Sequence, residues 1–152
     1  MKIIVQEHDF DVGQELAAVA AGDLGVGGLA SFVGRVRAGD AGHEVAGMTL
    51  EHYPAMTQKV LEAVVAEAAQ RWQVRDATVI HRVGRLAAGE QIVLVAVASP
   101  HRGDAFAACQ FIMDILKTRA PFWKKEQTPA GERWVEARGS DDVAAERWLP
   151  AE

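Results

Sequence analysis

Short β-branched runs interleaved with two long amphipathic stretches predict an α+β fold with a largely antiparallel sheet. Three observations carry that expectation. Strand-like and helix-like segments intermix as β-α-β-β-α-β-β-α-β instead of alternating strictly, which disfavours a wound parallel sheet. The run Gln91–Ser99 is apolar almost throughout, as a central strand is. No internal repeat, low-complexity tract or long polar linker interrupts the 152 residues, so a single domain over residues 1–152 is expected.

Taken in order, Lys2–Gln6 reads as a short strand, and Asp11 opens a helix whose Leu16, Val19 and Ala20 share one face. Gly22–Gly28 is the densest loop signal. Leu29–Arg37 and Val45–Tyr53, rich in β-branched and aromatic residues, read as strands, and Pro54 ends the second. Thr57–Trp72 sets Val60, Leu61, Val64, Val65, Ala68 and Trp72 at helical spacing. Ala77–Val83 and Gln91–Ser99 follow as strands joined by a turn at Ala88-Gly89-Glu90, and Pro100 closes the second. From Asp104 a further helix aligns Phe106, Cys109, Ile112, Met113 and Leu116. It ends before Pro121, which restricts its predecessor and lacks a helical donor. A last strand over Arg133–Ala137 precedes a tail helix starting near Ser140 or Asp141.

Composition narrows the function. With 49% hydrophobic and 24% charged residues the chain is a folded globular protein and not a disordered one. The start MKIIVQEHDFD carries no secretory h-region and no transit peptide, and no run approaches the roughly 18 apolar residues of a membrane span. A cytoplasmic protein with no membrane partner is expected. The net charge of -5 argues against nonspecific nucleic-acid binding. Cys109 is the single cysteine, so no intramolecular disulfide or thiol relay exists. His8, His43, His52, His81 and His101 are scattered without metal-site spacing, and no metal is expected.

The positive charges are nonetheless clustered. Lys117, Arg119, Lys124 and Lys125 fall within nine residues, and Arg35 and Arg37 flank Val36. With Pro121 breaking the helix, Lys117 at its end and Lys124 in the loop beyond can converge from two elements. Clustered cations bind phosphate and favour a neutral amine that serves as base or nucleophile, although a solvated helix end favoured by the helix dipole has the same pattern. Arg35 and Arg37 alternate onto one face of a strand, where planar forks suit phosphate or carboxylate, or simply face water. His101-Arg102 opens a helix, a place where backbone N–H groups favour anions, or where incidental charges sit in an entry loop. Cys109 lies on the apolar stripe and reads as a buried hydrophobe. The four tryptophans read as packing residues, with Phe122-Trp123 able to wall a flat ring. Alternation separates His52 from Glu51 and Tyr53, so no acid–base dyad follows there.

Several ordered runs resemble one family: Leu116-Lys117-Thr118-Arg119-Ala120-Pro121-Phe122-Trp123-Lys124, Leu50-Glu51-His52-Tyr53-Pro54 with Met56-Thr57, His81-Arg82-Val83-Gly84, His101-Arg102, and Arg133-Trp134-Val135-Glu136-Ala137. Together they resemble the catalytic subunit of molybdopterin synthase from about Gly28 to Trp148. The resemblance implies an α/β hammerhead fold and a homodimer within a heterotetramer, with one small ubiquitin-like sulfur-carrier subunit docked at each end. It implies a sulfurtransferase: the carrier's C-terminal thiocarboxylate enters a pocket and delivers two sulfurs to cyclic pyranopterin monophosphate. It places Arg37, His101, Arg102, Lys117 and Lys124 in that pocket, with Arg35, Val36, Lys125 and Glu126 beside them, and it requires no metal or organic cofactor. Arg35 stands where lysine is common in the family, which preserves charge but not donor geometry. Two other readings share the anion site: a noncatalytic metabolite-binding or scaffold protein, and a lysine enzyme that forms a Schiff base with a carbonyl substrate.

Overall fold

The computed structural model describes residues 1–39, 44–135 and 139–150. His43, and the Glu136 and Ala137 expected in the last strand, lie outside the described residues. Along the chain run β1 (Lys2–Gln6), α1 (Val12–Val19), β2 (Gly28–Arg35), β3 (Gly47–His52), α2 (Pro54–Arg71) and β4 (Asp76–Arg82). Then come β5 (Gly84–Ala87), β6 (Gln91–Ser99), α3 (Arg102–Arg119), β7 (Phe122–Thr128), β8 (Gly131–Val135) and α4 (Gly139–Glu146). The α+β class holds, with the strands divided between two four-stranded sheets, β1-β4-β6-β2 and β5-β3-β7-β8. Among the described strands only β1–β4 is parallel, and the other five pairings are antiparallel.

The first sheet is covered on both faces. From β6, Val93, Val95 and Val97 point to α2 and α3 and pack with Leu61, Val65, Phe111 and Ile112. The alternate residues Leu94 and Ala96 point to α1, against Phe10 and Val19. Period-2 alternation with both faces buried produces the continuous apolar run seen in the sequence. The second sheet has a smaller core of Val36, Met48, Leu50 and Leu86. Trp72, Phe111 and Trp148 meet edge to face, and the Trp148 indole donates to Asp114 Oδ2 at 2.7 Å, which ties the tail onto α2 and α3. No described helix is long and apolar enough to cross a membrane.

Three elements depart from the sequence reading. Strand β7 starts directly after Pro121 where a loop was expected. Its run Phe-Trp-Lys-Lys-Glu-Gln-Thr lacks apolar alternation, and its extended form comes from pairing with β3 on one side and β8 on the other. Strand β5 is four residues long and pairs with β3 after Gly84, whose φ of +85° suits glycine. Helix α2 begins at Pro54, because proline ends a strand yet fits the first helical turn, where no N–H is needed.

Cys109 is 6% exposed within the main core, and burial pushes its thiol up to about 11, so it is protonated at neutral pH. Its Sγ–H donates weakly to the Val95 carbonyl at 3.8 Å. Cys109→Ala is expected to lower stability by about 1–2 kcal/mol through lost packing and to leave activity near wild type. Denaturant unfolding alongside a turnover assay checks both parts, and a folded variant without turnover contradicts the packing role.

Candidate active site

The two sheets do not close on each other, and the gap between them holds a cavity of about 370 Å³. Each element contributes what its local geometry allows. Helix α3 is fixed by Phe111, Ile112 and Leu116, which are at most 2% exposed, so its last turn carries Lys117 to the cavity's edge. Ala120 leaves the helix with extended φ and ψ, its N–H still bonded to the Leu116 carbonyl, and the chain turns at Pro121 into β7. Alternation along β7 then sends Phe122, Lys124 and Glu126 to the cavity while Trp123 and Lys125 take the other face. Lys124 stands opposite Leu50 of β3 and Val135 of β8, so its backbone is held from both sides.

Arg35 ends β2 at a register shift, and its Nε and Nη2 donate to the Gly89 carbonyl at 3.1 and 2.9 Å. Arg37 lies two residues beyond, and both arginines line the cavity. Val36 between them is 2% exposed and packs with Met48 and Leu50, which form part of the apolar floor. Glu126 is 9% exposed and accepts from Arg133 at 3.1 Å. The structure thus brings together Arg35, Arg37, Lys117, Lys124 and Glu126, with Val36 supporting them from below.

Other candidates are placed elsewhere. Lys125 pairs with Glu132 at 3.3 Å and lies 4.8 Å from the Trp134 ring centroid, on the far face of β7. Arg119 pairs with Glu67 of α2 at 3.1 Å and does not line the cavity. His101 and Arg102 are exposed at the start of α3, and Arg102 abuts Gly28 of β2. Arg102 and Lys117 lie fifteen steps apart along the helix, roughly 22 Å at the usual rise, so within one chain they belong to opposite ends of the helix.

Among the lining residues not singled out from the sequence as site candidates is a buried histidine. His81, on β4, is 5% exposed and stacks on Phe122 of β7 at 4.0 Å with an interplanar angle of 17°, joining the two sheets at the cavity. A histidine following Val79 and Ile80 in the strand-like run Ala77–Val83 was the available signal. Its Nδ1 donates to the Arg82 carbonyl at 2.8 Å. Burial holds its pKa down to about 4; the Arg82 carbonyl opposes that shift, while Lys117 and His52 add to it. Nearby, His52 Nδ1 lies 3.3 Å from Thr57 Oγ1, on no dyad with Glu51 or Tyr53. Among the described residues no cluster of metal-binding side chains occurs.

The MoaE protein family model matches residues 5–119. A molybdopterin synthase catalytic subunit from Ralstonia nicotianae is 60% identical over 146 residues, covering 96% of this chain and 83% of that protein. A solved structure described as a molybdopterin biosynthesis MoaE protein from Burkholderia ambifaria superposes with a TM-score of 0.83 at 56% identity, covering 97% of each chain. A chain from a protein–protein complex of subunits 1 and 2 of molybdopterin-converting factor from Helicobacter pylori shares the fold, with a TM-score of 0.69, 23% identity and 90% coverage of each chain.

The buried imidazole makes folding sensitive to acid. An unfolded chain takes up this proton near pH 6.5, whereas the folded chain takes it up only near pH 4. Stability from this group is therefore complete above pH 6.5, falls as pH drops from 6.5 towards 4, and levels off below, with a total change of roughly 3 kcal/mol. Denaturant midpoints measured across pH 4–7 are expected to show that decline in the wild type and a shallower one in His81→Phe. Parallel pH profiles in the two proteins contradict the assignment.

Proposed function

The chain belongs to the MoaE family of molybdopterin synthase catalytic subunits, and from that premise we propose that its basic cavity is the sulfur-transfer centre. Here two sulfurs pass from the thiocarboxylated C-terminus of a small sulfur-carrier subunit to cyclic pyranopterin monophosphate, in the cytoplasm. The observation that carries this reading is the convergence of Lys117, Lys124, Arg35 and Arg37 on one cavity in an acidic chain. Such a cluster suits two anions at once, the precursor's phosphate and the carrier's terminal thiocarboxylate, through charge-assisted hydrogen bonds. The buried, protonated Cys109 is no sulfur donor, which agrees with sulfur arriving from outside the chain. The Helicobacter pylori complex, named for two subunits, is consistent with a partner that supplies it.

Roles follow from placement. Lys117 projects from a helix end beside Leu116, Ala120 and Phe122, and serves proton transfer or attack at the carrier's terminal carbonyl. Lys124, on a strand held by both neighbours, orients an anion, and Arg37 holds the precursor. Arg35, Lys125 and Glu126 shape the surrounding charge, and Val36 packs beneath the arginines.

His101 and Arg102 enter through a second copy of the chain. Strand β2 is an edge strand with Leu29 and Phe32 about half exposed, and Phe106 on α3 is exposed next to it. Antiparallel pairing of two β2 edges about a two-fold axis sets the Gly28 end of one beside the Arg35 end of the other. Arg102 adjoins Gly28 and Lys117 lies towards the Arg35 end, so each cavity receives the partner's His101 and Arg102. A homodimer of this form completes two equivalent sites.

Single-turnover assays with thiocarboxylated carrier and precursor test the division of labour. Lys117→Ala is expected to lower the rate by at least about a hundredfold with the fold and carrier affinity intact. Lys124→Ala loses about tenfold and recovers at high precursor, and Arg37→Ala mainly weakens precursor binding. Substantial turnover by folded Lys117→Ala rejects its catalytic role, and equal losses in both lysine variants reject the division. Wild-type chain that binds precursor and carrier without forming product favours a noncatalytic anion-binding protein.

A further inference from the structure

The cations that line the cavity can donate hydrogen bonds but cannot accept them. Arg35, Arg37, Lys117 and Lys124 therefore recognise the anionic parts of a substrate and leave its N–H groups unmatched. Among the described side chains lining the cavity, the nitrogen and oxygen acceptors are the carboxylates of Glu126 and Asp141 and the imidazole of His81. Arg133 donates to Glu126 Oε2 at 3.1 Å, and both carboxylates are charged acceptors, unlike the imidazole. An additional carboxylate at the site of His81 would also repel a phosphate or thiocarboxylate, whereas a neutral nitrogen accepts without repelling.

His81 has the geometry for that task. Its Nδ1 faces the Arg82 carbonyl at 2.8 Å. A carbonyl only accepts, so Nδ1 carries the ring proton and Nε2 keeps its lone pair. Among the described residues no buried side-chain nitrogen is left without a partner, and no protein hydrogen bond is made at Nε2, so Nε2 opens to the cavity. Stacking on Phe122 and the bond to Arg82 together fix the ring's plane and its rotation within that plane.

We propose that His81 is a specificity-determining residue of this site, whose Nε2 accepts a hydrogen bond from an N–H of the substrate's nitrogen heterocycle. The inference rests on reading the cavity as the precursor site. It gives the cavity two recognition elements: donors for the acid groups and one oriented neutral acceptor for the ring. Burial keeps the imidazole uncharged at neutral pH, with Lys117 and His52 opposing its protonation and the Arg82 carbonyl favouring it. The acceptor is therefore present whenever the enzyme works near neutrality.

The test compares calorimetric binding of cyclic pyranopterin monophosphate and of inorganic phosphate to wild type and three variants, in the absence of carrier. His81→Phe keeps the stack but removes both nitrogens. His81→Asn keeps a donor near Nδ1, and His81→Gln restores a polar group near Nε2. Precursor affinity is expected to fall about tenfold in the Phe and Asn variants, less in the Gln variant, while phosphate affinity stays within about twofold in all three. The ¹⁵N resonance of His81 Nε2 should move on addition of precursor and not of phosphate. Unchanged precursor affinity in folded Phe and Asn variants, equal losses for both probes, or an unmoved Nε2 resonance overturns the role of His81 while leaving the cavity's assignment intact. Failure of the wild-type chain to bind precursor at all overturns both.

Discussion

Everything at the cavity depends on where α3 is locked and where it stops. Phe111, Ile112 and Leu116 are essentially fully buried against the first sheet and α2, so the helix has one rotation and one depth. A one-residue slip would turn the stripe by about 100° and drive polar residues into the core. With the helix fixed, the turn at Ala120 and Pro121 converts helical into extended backbone within two residues. Lys117 is then the last lysine before the break and Lys124 the second cavity-facing residue after it. Two elements of different periodicity thereby aim at one volume.

Charge is distributed to suit that geometry. The chain carries a net charge of -5, yet the cavity gathers four basic side chains. Cations near the site that do not face the cavity are matched by carboxylates: Arg119 by Glu67, Lys125 by Glu132 and Arg133 by Glu126. Such pairs add little to stability, and Glu126 and Asp141 set carboxylates in the cavity's own lining beside its cations. The stack of His81 on Phe122 closes the wall between the sheets without adding charge.

Much of this was legible in the sequence because burial writes itself as periodicity. The stripe of α3, the continuous apolar run of β6 and the amphipathic α2 all announce which residues are buried, and the structure supplies what they pack against. Lys117 and Lys124 were legible as a basic cluster broken by a proline, and Arg35 and Arg37 as a separate pair on one strand. Strand β7 was not, because its extended form is imposed by β3 and β8 and not by its own polar residues. The place of His81 was hidden for a similar reason: its contact with Phe122 joins residues 41 positions apart in two different sheets. His101 and Arg102 show the reverse limit. Their chemistry reads well from sequence, but the helix between them and Lys117 spans too far for one chain to unite them.

That distance makes the two-copy site the central claim. If each reaction centre combines Lys117 of one copy with Arg102 of its partner, Lys117→Ala and Arg102→Ala homodimers both lack a complete site. A purified mixed dimer of the two variants concentrates both defects in one cavity and leaves the other whole. Its turnover with thiocarboxylated carrier and precursor is predicted to recover to about half that of the wild-type dimer. A mixed dimer no more active than either parent would contradict the shared site and return the whole reaction to a single chain.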